Sequence, residues 1–270
     1  MIASNQNRTL DQRMIMQSVL KYSCLAFVLS LSSISALAAQ ENVEHGVLSG
    51  SIGAVTKYVY RGGVENDDIA FQGGLQYAHK SGVFVGYWGS TLDYDSTDEH
   101  KDQGFEHDFA IGYANKINED LSYSTQVTAF VYQNGGRSYN LDRTESRRST
   151  GTEWFTALDF KDLSLGLGVA LSDANYGNAG DVYLSAGYSY PLIYDISLNT
   201  SVGASIYNDN RDDDLIQTSK TFVVNETRLG LSTPLADSGV DIALDYIWGG
   251  KNRLNEKLDD HLVFAVNYSF

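Results

Sequence analysis

Apolar side chains occupy every second position along the last eleven residues of the chain, 260–270. One face of this segment carries Leu262, Phe264, Val266, Tyr268 and Phe270. Because successive side chains of a β-strand point to opposite faces, the period of two predicts a strand with one fully apolar face. A terminal strand of this kind, ending on an aromatic ring, resembles that of bacterial outer-membrane β-barrels, in which the apolar face contacts lipid.

The same period of two recurs along the chain and predicts twelve strands in all. We expect strands at Val47–Tyr60, Phe71–His79, Val83–Leu92, Phe105–Ala114, Leu121–Tyr132, Thr152–Phe160, Leu163–Leu171, Val182–Tyr190, Ile196–Tyr207, Phe222–Thr233, Val240–Trp248 and Asp260–Phe270. The third of these is apolar on both faces, so its orientation stays open. The predicted fold is all-β, an antiparallel transmembrane β-barrel of about twelve strands.

Short and long connections alternate between the predicted strands. The short ones are Lys80–Gly82, Ile117–Asp120, Lys161–Asp162, Pro191–Asp195 and Pro234–Gly239. The mostly longer, polar ones are Gly62–Ile69, Asp93–Gly104, Gln133–Gly151, Ser172–Asp181, Asn208–Lys220 and Gly249–Asp259. Outer-membrane barrels have short periplasmic turns and longer outward loops. We therefore expect the short turns and both chain ends on the periplasmic side.

Aromatic residues fall near both sets of connections, as expected for two interfacial girdles. Trp88, Trp154 and Trp248 lie next to long connections, whereas rings such as Tyr113 and Phe160 lie next to short ones. A soluble β-sandwich would also show alternating strands. It would not explain the girdles, the rhythm of short and long connections, and the terminal aromatic strand together.

The beginning of the chain has the pattern of a secretory signal peptide. Lys21 precedes an apolar stretch, Cys24–Ala38, which ends in the small–x–small sequence Ala36-Leu37-Ala38. We expect residues 1–38 to be the signal peptide, 39–46 a short periplasmic segment and 47–270 the barrel. Cys24, the only cysteine, leaves with the signal, so the mature chain has neither disulfides nor a thiolate metal site.

The chain is acidic, with 19 basic and 34 acidic residues and a net charge of −15. The predicted signal carries Arg8, Arg13, Lys21 and a single acid, Asp11, so the mature chain is more acidic still. Such a chain is a poor ligand for nucleic acid, and we expect none as a partner.

Side chains on the faces opposite the apolar ones are expected to line the barrel lumen. The predicted lumen residues are Lys57, Glu106, Asp108, Glu153, Asp159, Glu226, Arg228, Asp241 and Asp245. Many other inward positions are Gly, Ala or Ser, which leaves room for a narrow pore. Because most of the charged residues are acidic, the lumen is expected to favour cations or neutral solutes. The alternative is that these groups pair with the bases or are simply hydrated.

The connection Gln133–Gly151 differs from the other loops because it is basic. It carries Arg137, Arg143, Arg147 and Arg148. We consider it a candidate constriction loop that folds inward opposite the acidic wall. Contact with anionic lipopolysaccharide and a purely mobile loop are the alternatives.

The first three predicted strands resemble a known family. The first contains Tyr58-Val59-Tyr60-Arg61-Gly62-Gly63, and the next opens with Phe71-Gln72-Gly73-Gly74 and ends in His79. These motifs resemble the TorF family of porins, although Gly63 stands where an apolar residue is expected. The resemblance implies an outer-membrane, porin-like protein. It carries no catalytic or substrate-binding residues.

The sequence thus predicts an outer-membrane channel for passive diffusion of small solutes. A structural or adhesive barrel that acts through its loops is the alternative. A lipid-modifying enzyme is less favoured, since His107 has no neighbouring outward Ser with a carboxylate. We expect no catalytic residue, cofactor or metal. The expected partners are outer-membrane lipid, lipopolysaccharide, small solutes and the barrel-assembly machinery, for which Tyr268 and Phe270 form the assembly signal.

Overall fold

The computed structural model describes residues 46–95, 102–133, 136–139, 144, 146–174, 177–209 and 216–270. The predicted signal peptide and residues 39–45 of the segment after it lie outside these residues. No helix in the described residues is long and apolar enough to cross a membrane.

The described chain consists of β-strands joined by turns and loops. The strands are β1 Gly46–Val55, β2 Tyr58–Tyr60, β3 Gly63–Asn66, β4 Ala70–His79, β5 Val83–Leu92, β6 Gly104–Lys116, β7 Leu121–Tyr132, β8 Arg137–Tyr139, β9 Ser146–Arg148, β10 Gly151–Phe160, β11 Leu163–Ala170, β12 Val182–Pro191, β13 Ser197–Ile206, β14 Phe222–Pro234, β15 Val240–Gly249 and β16 His261–Ser269. Four of them form two small hairpins, β2–β3 and β8–β9. The other twelve form a closed barrel, which confirms the predicted fold.

The barrel closes where its first and last strands pair. All neighbouring barrel strands are antiparallel, and β1 pairs with both β4 and β16. The terminal residue takes part in this closure: Gly50 N donates to Phe270 O at 2.9 Å, and Phe270 N donates to Gly50 O at 3.0 Å. A closed barrel leaves no unpaired sheet edge, which is the condition for β-structure to cross a lipid bilayer.

The two faces of the barrel wall differ as the alternation predicts. Large apolar side chains on the outer face remain exposed, including Leu48, Phe71, Ile111, Leu262 and Phe264. The inner face carries buried polar groups such as Gln76, Thr128 and Asn199. This inside-out distribution is unfavourable in water and favourable in lipid, so the barrel is of the transmembrane type.

Connections of two to five residues, such as 161–162, alternate with longer loops, as expected.

Two details of the wall differ from the sequence prediction. The first barrel strand ends at Val55 rather than Tyr60, because the chain leaves the wall and forms the β2–β3 hairpin. Trp88, which the sequence placed in an interfacial girdle, is only 6% exposed and belongs to the inner face of β5. The orientation of β5 is thereby settled, since Val83 and Val85 are on its exposed face.

Candidate functional site in the barrel lumen

The β2–β3 hairpin turns on two residues with positive φ. Arg61 has φ 52° and Gly62 has φ 81°, and Tyr60 pairs with Gly63 on either side of them. Positive φ at both central residues is the mark of a type I′ turn, which matches the twist of the flanking strands. A Cβ on Gly62 would lie 2.6 Å from Asn225 O, so this turn also requires close approach to the wall. Arg61 is therefore held in the left-handed region, which is uncommon for an arginine.

The arginine at the turn joins the hairpin to the wall at β10 and β12. Arg61 Nη2 donates to Glu153 Oε1 at 2.7 Å. Its guanidinium also lies 4.2 Å from the Tyr183 ring centroid, 4.7 Å from that of Tyr60 and 5.5 Å from that of Phe155. The ion pair and the contacts of the guanidinium with three aromatic rings hold the turn in one position.

Strands β14–β16 hold the backbone and the Val59 side chain of β2. Arg228 Nη2 donates to Val59 O at 3.2 Å and to Glu226 Oε2 at 2.6 Å. The Val59 side chain is buried with Ile247 and Val263, which are inward residues of β15 and β16. An apolar contact and a charge-assisted hydrogen bond thus anchor the hairpin on this side.

The remaining anchors come from β5, β6 and β7. The rings of Tyr58 and Trp88 meet edge to face, with centroids 5.7 Å apart. Tyr58 Oη donates to Glu106 Oε2 at 3.2 Å, and the rings of Tyr60 and Phe130 lie 6.5 Å apart. Together with the contacts to β10, β12 and β14–β16, these place the hairpin across the lumen rather than along its rim.

Three carboxyl groups lie beside this hairpin. Glu65 on β3 accepts a 2.8 Å hydrogen bond from Tyr94 Oη, and Glu106 accepts from Tyr58 and Tyr132. Asp108 is 2% exposed, and its Oδ1 has no hydrogen-bond partner among the described residues. Burial raises the pKa of Glu65, and the nearby carboxyl of Asp93 adds to this effect. Burial therefore disfavours the ionised form of Glu65 while the hairpin is in place.

A cavity of about 250 Å³ lies between the hairpin turn and the loops above it. Tyr60 and Arg61 line it from the hairpin. Several of the surrounding loops are joined to one another, since Arg147 Nη1 donates to Gly177 O at 2.7 Å and Arg253 forms an ion pair with Asp181. Contacts between loops thus surround part of the cavity at the long-loop end of the barrel.

The structure places the predicted lumen residues as follows. Six have side chains on the inner face that are less than 10% exposed: Glu106, Asp108, Glu153, Glu226, Arg228 and Asp245. Asp159 and Asp241 are half-buried near the short turns, and Asp159 accepts a hydrogen bond from Ser164 Oγ. Lys57 lies between β1 and the hairpin, where it forms an ion pair with Asp67.

The arginine-rich loop is split between two environments. Arg137 is exposed and donates to Ser146 Oγ at 2.7 Å, and Arg148 is exposed as well. Arg147 is buried against the neighbouring loop. Arg143 lies outside the described residues. His107, the candidate catalytic base, has its Nδ1 3.0 Å from Tyr87 Oη.

The comparisons with known proteins agree with a bacterial origin. A family model described as "Bacterial protein of unknown function (Gcw_chp)" matches residues 39–270. The chain belongs to the Gcw_chp family. No curated protein matches it.

Several solved structures are similar to this Gcw_chp family member. One described as the KdgM porin has 8% identity and a TM-score of 0.47, with 82% of this chain and 98% of that chain covered. Pseudomonas aeruginosa OpdL has 14% identity and a TM-score of 0.40, covering 83% and 67%. Pseudomonas aeruginosa OprD has 12% identity and a TM-score of 0.40, covering 85% and 68%.

The structure corrects the expected position of one motif in this Gcw_chp family member. Tyr58 and Tyr60 were expected in the first barrel strand, with Arg61 directly after it, but all three lie inside the barrel. A sequence signal for this was present, since Arg61-Gly62 between alternating residues fits a two-residue hairpin turn. The continued alternation through Tyr58 and Tyr60 concealed it.

Proposed function

We propose that the protein is an outer-membrane channel for passive diffusion of small solutes, with the β2–β3 hairpin as its constriction. The observation that carries this proposal is the hairpin itself, which is anchored to inward side chains on both sides of a closed barrel. A barrel of twelve strands is wider than the eight-stranded barrels that side chains fill. A constriction inside such a barrel sets which solutes pass.

The charge of the lumen supports a preference for cations or neutral solutes. Arg61 and Arg228 are each paired, with Glu153 and Glu226 respectively. Five further inward carboxyls have no ion-pair partner within the described residues: Glu106, Asp108, Asp159, Asp241 and Asp245. Those of the inward carboxyls that are ionised attract cations and repel anions in a low-dielectric wall.

We also propose how the protein reaches its membrane. The Gcw_chp match begins at residue 39, directly after the predicted cleavage site, which supports export by a cleaved signal peptide. The rings of Tyr268 and Phe270 are stacked and exposed on the closing strand, which supports their role in recognition by the barrel-assembly machinery. We also propose that the arginine-rich loop contacts lipopolysaccharide and that the protein is one of the TorF porins.

Reversal potentials in a salt gradient across a planar bilayer test the proposed selectivity. We expect a cation preference that decreases in Asp241→Asn, because this carboxyl is half-buried and has no basic partner in the described part of the chain. Asp237→Asn, in the exposed turn before β15, is the matched control for loss of one negative charge. A clear preference for anions would contradict the proposal.

The anchored hairpin also favours a second candidate, a structural or adhesive barrel that passes no solute. The anchors on both sides of the lumen are the observation in its favour. The two candidates differ in one measurement. A folded wild-type barrel that passes no current would refute the channel and favour the second candidate. If the wild type does conduct and a folded variant that lacks residues 58–66 conducts no more, the hairpin is not the constriction.

A further inference from the structure

The groups that hold the Arg61 guanidinium come mostly from the barrel wall. Glu153 Oε1 on β10 lies 2.7 Å from Arg61 Nη2. The ring centroids of Tyr183 on β12 and Phe155 on β10 lie 4.2 and 5.5 Å from the guanidinium carbon. Tyr60 supplies the third ring, from the hairpin itself. Without the hairpin, the wall would still present a carboxylate beside two aromatic rings, which is a suitable site for an organic cation.

The neighbouring strand β11 leaves room for a flat group at this wall pocket. A Cβ on Gly168 would lie 3.1 Å from Arg61 Nη2 and 3.2 Å from Phe155 Cε1. The guanidinium thus approaches the backbone of β11 closely, because no side chain stands there. A guanidinium is planar and stacks on rings, whereas an ammonium is a compact and strongly hydrated charge. The wall pocket therefore fits a guanidinium better than an ammonium.

The wall pocket adjoins the cavity at the long-loop end of the barrel. Arg61, Glu153 and Tyr183 all line this cavity of about 250 Å³. The side chains of Arg61 and Glu153 are 23% and 9% exposed, so the ion pair is not sealed from solvent. A small cation that enters the cavity can therefore compete with Arg61 for the carboxylate.

Displacement of Arg61 would leave the wall pocket with a net negative charge. Glu153 forms no other ion pair in the described part of the chain, and Arg228 is paired with Glu226. A guanidinium from solution would restore the charge-assisted hydrogen bond and the ring contacts that the wall loses with Arg61. A neutral or anionic solute would not restore the ion pair. The wall pocket therefore selects for positive charge as well as for a planar group.

We propose that this wall pocket binds solutes that carry a guanidinium group, and that Arg61 occupies it in their absence. Arg61 is then an internal ligand, and a solute that pairs with Glu153 in its place releases the hairpin from β10 and β12. A ligand that binds only when the hairpin is displaced shifts the equilibrium toward displacement. The inference rests on the proposed channel, since it names the class of solute whose binding would open the constriction.

Isothermal titration calorimetry tests the wall pocket without requiring conduction. In detergent-solubilised Arg61→Ala barrels the pocket is vacant, and we expect saturable binding of methylguanidinium and weaker binding of methylammonium. Adding Tyr183→Leu should weaken the binding of methylguanidinium about two- to fivefold, the effect of one ring contact. Adding Glu153→Gln should abolish it. Heat-modifiable migration in gels shows that each variant is folded.

Arg137→Ala is the matched control, because it removes an exposed arginine and leaves the wall pocket occupied by Arg61. We expect it to bind methylguanidinium as weakly as the wild type does. Equal binding by Arg61→Ala and Arg137→Ala would overturn the proposal. Undiminished binding after addition of Glu153→Gln to Arg61→Ala would overturn it too, since the cation would then lie elsewhere.

Single-channel recording of the wild type tests the competition with Arg61. At constant ionic strength, methylguanidinium at ten times the Kd measured on Arg61→Ala should raise the ratio of open to closed channels about tenfold. The same concentration of methylammonium should raise it less. An unchanged ratio in methylguanidinium would show that the solute does not displace Arg61 and would overturn the proposal. If Arg61→Ala does not fold, this comparison of two cations on the wild type decides the question.

The two measurements separate this inference from the proposed function. A wild-type barrel that never conducts would refute the channel, while binding to Arg61→Ala that depends on Glu153 would still support the wall pocket. Conduction that does not respond to methylguanidinium would refute the inference and support the channel.

Discussion

Loss of the Arg61 side chain should release the hairpin from its closed position. With the hairpin in place across the lumen, which we call the closed state, Arg61 Nη2 lies 2.7 Å from Glu153 Oε1. The side chains of Arg61 and Glu153 are 23% and 9% exposed. In Arg61→Ala the Glu153 carboxylate would stay under the hairpin without a cation. Displacement of the hairpin from the lumen, which gives the open state, would return this carboxylate to water. The substitution therefore shifts the equilibrium between hairpin-in-place and hairpin-displaced channels toward the open state.

The size of this shift follows from the environment of the pair. Removing one partner of a buried ion pair costs about 3–5 kcal/mol. The lower value is appropriate because Arg61 is partly exposed, although the lost ring contacts would add about 0.5–1 kcal/mol each. From the ion pair alone, a change of about 3 kcal/mol corresponds to at least roughly a hundredfold change in the ratio of closed to open channels.

Single-channel recording in planar bilayers measures that ratio directly. We expect Arg61→Ala to raise the open fraction by about a hundredfold, or to saturation. The double variant Arg61→Ala, Glu153→Gln should recover part of the closed state, because no charge is then left buried alone. Arg137→Ala, at an exposed arginine in another loop, is the control. If Arg61→Ala folds and opens no more often than the wild type, the ion pair does not hold the hairpin.

Three further predictions concern the same architecture. Gly168→Ala should also raise the open fraction, because its Cβ would lie 2.3 Å from Glu153 Oε1 and displace the carboxylate from Arg61. Gly187→Ala, whose nearest neighbour would be 3.7 Å away, should leave recordings unchanged, and equal effects of the two substitutions would contradict this explanation. The open fraction should rise with pH, because burial, together with the nearby Asp93 carboxyl, raises the pKa of Glu65 while the hairpin is in place. The contribution of Glu65 to closure is therefore complete below the ordinary glutamate pKa and is lost as pH rises through the raised pKa. A pH series of recordings checks this, and an equally steep dependence in Glu65→Gln would exclude Glu65 as its source. Removal of Phe270 should lower the yield of folded barrel in the outer membrane, since its backbone hydrogen bonds with Gly50 and its ring stacks on Tyr268; membrane fractionation measures the yield, and normal insertion would argue against the assembly role.

The wall of the barrel could be predicted because its pattern is local. Every second residue of a strand such as β16 meets lipid, so Leu262, Phe264 and Val266 reveal both the strand and its outer face without knowledge of any partner. Where both faces were apolar, as in β5, the pattern was ambiguous. Tertiary structure resolved it by placing Trp88 against Tyr58 in the lumen.

The contents of the lumen could not be predicted in the same way. The alternation identified inward carboxyls such as Glu106 and Asp108, but the local excess of basic residues directed attention to the arginine-rich loop, whose Arg137 and Arg148 are exposed. The alternation through Tyr58 and Tyr60 resembled a continued strand, although these residues belong to a hairpin inside the barrel.

The sequence by itself determined the class of fold, because lipid on one side and polar groups on the other impose a period of two on each strand. Only the tertiary structure decided what crosses the lumen. The hairpin is held by Arg61 with Glu153, 92 residues apart, and by Val59 with Arg228, 169 residues apart. Contacts of such long range form only when the barrel closes and brings opposite walls together, so no local pattern in the chain reports them.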